Sequence, residues 1–297
     1  MKIRTTSPLW LASLLLVCAS SSHAGVTLDK LRKGEPLVIA YRDASIPFSF
    51  IDSDKRPSGY AVNLCQRIAE GLRQQLGLKQ LPLQYKMVTS STRMDVIRNH
   101  QADLECGSTT NNAERREKVA FTVPHYIATA RILVRADSTA TDLHDFAGKK
   151  LVSTRNTTSM TRVMQANQEH SSGIQVLEST DDPKAAEMVE KGEADGFVMD
   201  DVLLYALRAE RPDPSKLKIV GKALTIEPLA IMLAKDDPEF KKMVDDEMKS
   251  LIRSHEAYTL YDQWFMQPSL PHNIALKLPM GTILREFWKQ PTDVLPF

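Results

Sequence analysis

The sequence predicts an α/β protein of two lobes that face one another across a cleft. Three observations lead there. Two runs of alternating strand and helix patterns follow each other, over residues 25–128 and 129–222, and a mostly helical stretch over 223–297 returns to the first. In both runs the strands end in hydroxyl and charged residues, which is where ligands meet an open α/β sheet. The composition, 42% hydrophobic and 25% charged, is ordinary globular composition with enough apolar residues for two cores.

The first 24 residues stand apart from this pattern. Lys2 and Arg4 precede the apolar run Leu9 to Val17, which is too short to span a bilayer, and Ser22-His23-Ala24 ends it with small residues at the positions a signal peptidase reads. A secretory signal cut after Ala24 is expected. Lipidation at Cys18 is the alternative, and Val17 argues against it. Removing two cations leaves a net charge of +1 − 2 = −1, so nothing basic recommends a nucleic-acid partner. No later stretch reads as a membrane span, so a soluble exported protein is expected. Cys65 and Cys106 remain. They could pair in an oxidising compartment, but Cys65 lies in an apolar helix pattern and the expectation is a buried thiol. Two Cys without matching His make no zinc site, and no cofactor is expected.

Thr27 to Lys33 reads as a short capped helix. Leu37 to Tyr41 is a continuous apolar run, as a strand buried on both faces would be. Arg42 follows at its carboxyl end, a ligand position or simply a surface loop. Val62, Leu64, Cys65, Ile68, Ala69 and Leu72 fall at helical spacing. Leu83 to Val88 alternates as a second strand and ends in Thr89-Ser90-Ser91-Thr92-Arg93. There Ser91 or Thr92 could cap a helix and Arg93 could be exposed. Ala102 to Cys106 is a third strand. It runs into Gly107-Ser108-Thr109-Thr110-Asn111-Asn112-Ala113-Glu114-Arg115. Gly107 permits close backbone approach, Asn111 and Glu114 have the spacing of a capping box, and Arg115 can grip a carboxylate with two parallel bonds. Taken alone, the stretch is also a polar surface turn. Phe121 to Tyr126 reads as irregular, Thr129 to Arg135 as a strand, and Leu143 to Lys150 as a short helix ended by Gly148.

The second run repeats the scheme. Lys150 to Thr154 is a strand, followed by a polar helix start at Arg155 to Ser159. Ile174 to Leu177 is a strand. Asp182-Pro183 starts a helix with an acid at the cap and Pro at its first position. Ala194 to Met199 is a strand ending in Asp200-Asp201, and a helix continues from Val202. Ile219-Val220 and Ala230 to Ala234 read as returning strands. Asp237-Pro238 opens a long helix, Tyr258 to Met266 forms another, and the tail from Pro268 carries little signal. Clefts between such lobes are favoured small-molecule sites, and hinge closure is the usual way to trap the occupant.

These residues resemble a known family. Arg42 to Phe50, Asp103 to Arg115, Asn156 to Ser159, Gly192 to Leu204 and Lys235 to Phe240 are similar to the periplasmic amino-acid-binding proteins, solute-binding protein family 3, and most closely to its glutamate/aspartate-binding members. The resemblance spans nearly the whole mature chain, and the string Cys-Gly-Ser-Thr-Thr-Asn-Asn is specific to the acidic-amino-acid branch. It implies a two-lobed Venus-flytrap fold in the periplasm, monomeric, with an amino acid in the inter-lobe cleft and an ABC permease as partner. It further implies that Asp200 binds the ligand's α-ammonium and that Arg115 clamps the α-carboxylate with Thr110 and Thr158. Arg42 and Arg93, with Ser90 and Ser108, would receive the side-chain carboxylate. Without the resemblance, Asp200 reads first as one of two adjacent acids capping the helix that begins near Val202.

One position departs. At Asp182 the acidic-amino-acid members carry a His that helps hold the side-chain carboxylate. A carboxylate about 4 Å from the ligand's would cost roughly 4 kcal/mol at an effective dielectric near 20, about a thousandfold in affinity. The expectation that Asp182 caps its helix, with its carboxylate on backbone N–H groups, softens the conflict. Glutamine or asparagine gains plausibility over a member with His. The alternatives are a periplasmic enzyme on the same scaffold, of the cyclohexadienyl or arogenate dehydratase type, and a ligand-sensing subunit. No nucleophile–base pair or metal spacing in the sequence asks for the enzyme.

Overall fold

The computed structural model describes residues 25–269 and 271–294. The signal segment expected over 1–24 lies outside them. Helix α1 (Val26–Arg32) opens the described chain with no side-chain cap of its own; the Thr27 N–H donates to Asp237 Oδ2 at 2.9 Å instead. Strand β1 (Leu37–Tyr41) is the continuous apolar run, with a neighbour on each side. A ribbon of β2 (Ala44–Ser45), β3 (Ser49–Ile51) and β4 (Pro57–Ser58) leads to α2 (Tyr60–Gln75). That helix buries Val62, Leu64, Cys65, Ile68, Ala69 and Leu72, the stripe its spacing predicts. The first run closes with β5 (Leu83–Met87), α3 (Arg93–Arg98), β6 (Leu104–Glu105), α4 (Ala113–Arg116) and β7 (Ala120–Phe121).

Strand β8 (Tyr126–Ala128) carries the chain to the second lobe. There follow β9 (Ala130–Arg135), β10 (Lys150–Thr154), α5 (Thr158–His170), β11 (Gln175–Ser179), α6 (Asp182–Glu190), β12 (Gly196–Asp200), α7 (Asp201–Ala209) and β13 (Leu217–Val220). Strand β14 (Glu227–Leu229) returns, and β15 (Met232–Leu233), α8 (Pro238–Arg253), α9 (Glu256–Phe265) and α10 (Thr282–Lys289) complete the chain. None of the described helices is long and apolar enough to cross a membrane.

The two sheets share one plan. The first has the order β5-β1-β6-β15-β7 and the second β11-β10-β12-β9-β13. In each, a central strand is flanked by two parallel partners, and an antiparallel strand pairs with the third. The carboxyl ends of β1, β5 and β6 thus form one wall and those of β10 and β12 the other. The lobes are joined by β8 and β14, which pair antiparallel from Glu227↔Ala128 to Leu229↔Tyr126. Beside this ribbon sits an aromatic cluster. Phe265 lies 4.4 Å from Tyr261, 4.9 Å from Tyr126 and 5.1 Å from Tyr60, centroid to centroid. Burying each ring contributes about 1.5–3 kcal/mol, so the hinge is anchored to α2 and α9 rather than floating between the lobes.

Several expectations are corrected. Cys65 and Cys106 form a disulfide, not buried thiols, because the α2 stripe packs directly on the end of β6 and brings their Cα atoms to 6.4 Å. The cap of α4 is Asn112, which accepts from the Arg115 N–H at 2.9 Å, rather than Asn111. The cap of α6 is Asp181, which accepts from the Lys184 N–H; Asp182 is the first helical residue and its side chain turns inward. At α7 the N-cap position is Asp200, but its side chain makes no cap bond; Asp201, the first helical residue, accepts from the Val202 N–H instead. Leu143–Phe146 is a 3₁₀ turn. Phe121 to Tyr126, expected as irregular, is irregular over 122–125, while Phe121 ends β7 and Tyr126 begins β8. Ile219 and Val220 remain in the second sheet on β9 rather than returning. The tail forms α10, whose Trp288 indole donates to the Pro124 carbonyl at 2.9 Å just before the hinge strand.

Candidate functional site

The strand ends of both lobes meet, and among the described residues hydrogen bonds join them. The Ser90 hydroxyl, just after β5, donates to the Arg155 carbonyl at 2.8 Å. The Thr110 and Thr158 hydroxyls lie 3.4 Å apart. Arg115 Nη2 donates to the Asn156 carbonyl at 3.4 Å while its Nη1 holds the Thr110 carbonyl at 3.0 Å. Closure follows from local sequence: tight polar turns after β5 and β6 oppose the start of α5, where Thr157 caps the helix by accepting from the Met160 N–H.

Inside this closed seam lie charges that water barely reaches. Arg42 follows β1 and is buried, its backbone N–H held by Ser49 Oγ at 2.9 Å. Arg93 opens α3 and is only 3% exposed. Burial, reinforced by the nearby Arg115 charge, lowers its pKa to about 9. Arg115 is lowered by burial too, against the pull of Glu227, Asp200 and Glu105. Ser108 and Thr110 are buried between them. Gly107 is required there: a Cβ would come within 2.5 Å of Glu105 Oε1 and 3.3 Å of Arg42 Cγ.

The acids come from both lobes. Asp200 ends β12 with Oδ1 buried and without a hydrogen-bond partner among the described residues. Burial, then the neighbouring Glu227, pushes its carboxyl well above the usual range. Asp182 accepts from Thr154 Oγ1 at 2.5 Å and is 2% exposed; burial raises its pKa against the stabilising charge of Arg42. The nine residues singled out in the sequence are placed unequally, and Ser108 is buried with no partner across the seam among the described residues. Ser90, Arg93, Thr110, Arg115 and Thr158 line a cavity of about 820 Å³. Arg42, Ser108, Asp182 and Asp200 are outside that lining, although Arg42, Asp182 and Asp200 are in electrostatic reach of Arg93 or one another.

Two acids of the seam went unread in the sequence. Glu105 is fully buried at the end of β6 and accepts from Thr109 Oγ1 at 2.6 Å. Glu227, on the hinge strand β14, lines the cavity, is 2% exposed and leaves Oε2 unpartnered among the described residues. The available signal was an acid inside each apolar run, Leu104-Glu105-Cys106 and Ile226-Glu227-Pro228-Leu229. Buried guanidinium groups facing buried carboxylates can hold a zwitterion, whose two ends satisfy both signs. Among the described residues, no group of three or more His, Cys, Asp or Glu is set to hold a metal ion.

A profile described as bacterial extracellular solute-binding proteins, family 3, matches residues 37–267. The glutamate/aspartate import solute-binding protein of Salmonella typhimurium is 34% identical over 270 residues, covering 91% of this chain and 89% of that one. The L-glutamate/L-aspartate-binding protein of Pseudomonas aeruginosa is 34% identical over 283 residues, 95% of this chain and 94% of the other. Among solved structures, an ancestral arginine-binding protein bound to arginine superposes with a TM-score of 0.71. It is 22% identical, and the match covers 77% of this chain and 98% of that one, a likeness of fold.

Proposed function

This chain belongs to family 3 of the bacterial extracellular solute-binding proteins, and on that premise we propose that it captures a polar amino acid in the periplasm for an ABC permease. Glutamate and aspartate are the first candidates, as the names of the Salmonella and Pseudomonas relatives suggest. The observation that carries this reading is the burial of Arg42, Arg93 and Asp200 where the lobes meet, with Arg115 half-buried beside them.

In this reading Asp200 Oδ1 accepts the α-ammonium. Arg115 clamps the α-carboxylate, with the Thr110 and Thr158 hydroxyls beside it. Arg42 and Arg93, with Ser90 and Ser108, take the side-chain end, and Asp182 borders that end. Residues 25–128 and 223–297 form one lobe and 129–222 the other, with closure about the β8–β14 ribbon. The chain acts as a monomer that binds and releases without chemistry, and segment 1–24 directs its export.

The test is calorimetric titration of the refolded, ligand-stripped protein against the common L-amino acids. Roughly micromolar or tighter binding, about −8 kcal/mol or better, of glutamate, aspartate or their amides supports the reading. Heat from none of them would sink it.

A further inference from the structure

Glu227 has no part in the amino-acid reading, yet three pieces of chain meet around it. Its strand β14 pairs with β8, placing Glu227 opposite Ala128. Along its other edge β14 meets the polar turn of the first lobe. Leu229 bridges Thr110, the Asn111 N–H donates to the Pro228 carbonyl at 2.8 Å, and the Ala230 N–H donates to the Thr109 carbonyl at 3.0 Å. The second lobe arrives just beyond. Thr129 alone separates β8 from β9, and Asp200, the last residue of β12, pairs with Ala130. Strand pairing therefore brings Glu227 and Asp200 to the same crossing of the hinge, opposite residues two apart.

Neither acid is satisfied there. Glu227 is 2% exposed, lines the cavity, and leaves Oε2 unpartnered among the described residues. Asp200 is buried to the same extent and leaves Oδ1 unpartnered. Glu227 is also, after burial, the main influence raising the Asp200 carboxyl. Two buried carboxylates without donors destabilise the closed arrangement. Arg115 lines the same cavity, but its Nη1 and Nη2 donate to the Thr110 and Asn156 carbonyls. An ammonium group carries three donors, more than a single carboxylate oxygen takes up. Held between Asp200 and Glu227, it supplies both acids with charge and hydrogen bonds at once.

We propose that Glu227 is the hinge's own contact with the ligand: it receives the α-ammonium together with Asp200, and so makes closure of the lobes depend on that ammonium. Asp200 holds the group from the second lobe, and Glu227 holds it from the strand that joins the lobes. An amino acid qualifies. The same carbon skeleton without its ammonium leaves both carboxylates unpartnered, and the cleft stays open. This inference rests on the amino-acid reading above and adds to it a residue that governs both ligand class and closure.

The test uses the full refolded, ligand-stripped protein, with affinity read by calorimetry and closure by the radius of gyration in small-angle X-ray scattering. Glutamate, aspartate, glutamine and asparagine are each compared with the counterpart that carries hydrogen in place of the ammonium: glutarate, succinate, glutaramate and succinamate. The wild-type protein should contract with the amino acid it binds tightest and keep its empty dimensions with the counterpart. Glu227→Gln should weaken that amino acid about thirtyfold, the loss of a charge-assisted hydrogen bond. It should leave the counterpart's affinity unchanged or raised, and the melting temperature of the empty protein no lower. Contraction of the wild-type protein with the counterpart would overturn the proposal. So would an amino-acid affinity in Glu227→Gln within about threefold of wild type. Weakening shared equally by the counterpart, or accompanied by a lower melting temperature of the empty protein, would mark structural damage and overturn it too. The contraction arm needs no variant, so it decides the matter even where Glu227→Gln does not fold. If the wild-type protein binds none of the four amino acids, the amino-acid reading itself falls, and this inference with it; full binding by Glu227→Gln removes Glu227 alone.

Discussion

Arg115 shows how much one side chain does here. Its fork closes the polar turn by holding the Thr110 carbonyl and bridges to the other lobe at Asn156. Lysine can keep the charge but not both bonds. Arg115→Lys is therefore expected to lower ligand affinity by about 2 kcal/mol, roughly 30-fold, with little change in melting temperature. An unchanged dissociation constant by calorimetry would remove Arg115 from the site. His125 tests a different residue-scale effect. It is fully buried near Phe48 and Tyr60, and burial lowers its imidazole pKa to about 3, the Gly107 backbone opposing the shift. The unfolded chain titrates near 6.5, so the unfolded state binds the proton first. The stability His125 contributes is complete above about pH 6.5 and drains away as pH falls toward 3. Between pH 7 and pH 5 the loss from this group is about 2 kcal/mol. Urea midpoints should show it in the wild-type protein and not in His125→Phe; equal pH slopes would refute it. Arg42 and Asp200 stand at the ends of buried strands, which the apolar runs before them marked, whereas Arg93 and Arg115 were singled out through the family resemblance. Glu105 and Glu227 were not, since nothing in a single sequence says that an acid within an apolar run stays inward. The cap at Asp181 rather than Asp182 escaped for a related reason: two adjacent acids differ only in which one the helix start turns outward.

At the scale of elements, periodic patterns carried most of the fold and long-range partners carried the rest. α2 and α8 were legible because an apolar stripe at helical spacing has one physical meaning. The Cys65–Cys106 bond was not, because it depends on how α2 lies against β6. That bond matters for the site. It anchors the residue just before Gly107, at the root of the turn that presents Ser108 and Thr110. Closing a loop with a separation of 41 residues is worth about 4 kcal/mol on chain-entropy grounds. Reduction should lower the unfolding free energy by up to that amount and weaken ligand binding as well. Full affinity retained in dithiothreitol, by calorimetry, would separate the disulfide from the site. α10 was missed because its anchor is a carbonyl far away in sequence, that of Pro124, met by Trp288.

At the scale of the whole molecule, the two lobes touch through hydrogen bonds that a hinge motion must break. A ligand held between them therefore stabilises the closed form. At a hundredfold excess over its dissociation constant, the gain is about 2.7 kcal/mol, or roughly 5–10 °C in melting temperature for a chain of this size. No shift with any amino acid, by differential scanning calorimetry, would mean that the cleft does not trap them. The connectivity has another consequence, in time rather than space. β15 lies between β6 and β7, yet it is made more than a hundred residues after both. During synthesis the second sheet, drawn from one continuous segment between 130 and 220, can finish first. The first sheet waits with a gap between two of its strands until Met232 and Leu233 arrive to fill it. The nascent chain thus carries a finished lobe beside an unfinished one, and it is the older half that must stay unfolded longer.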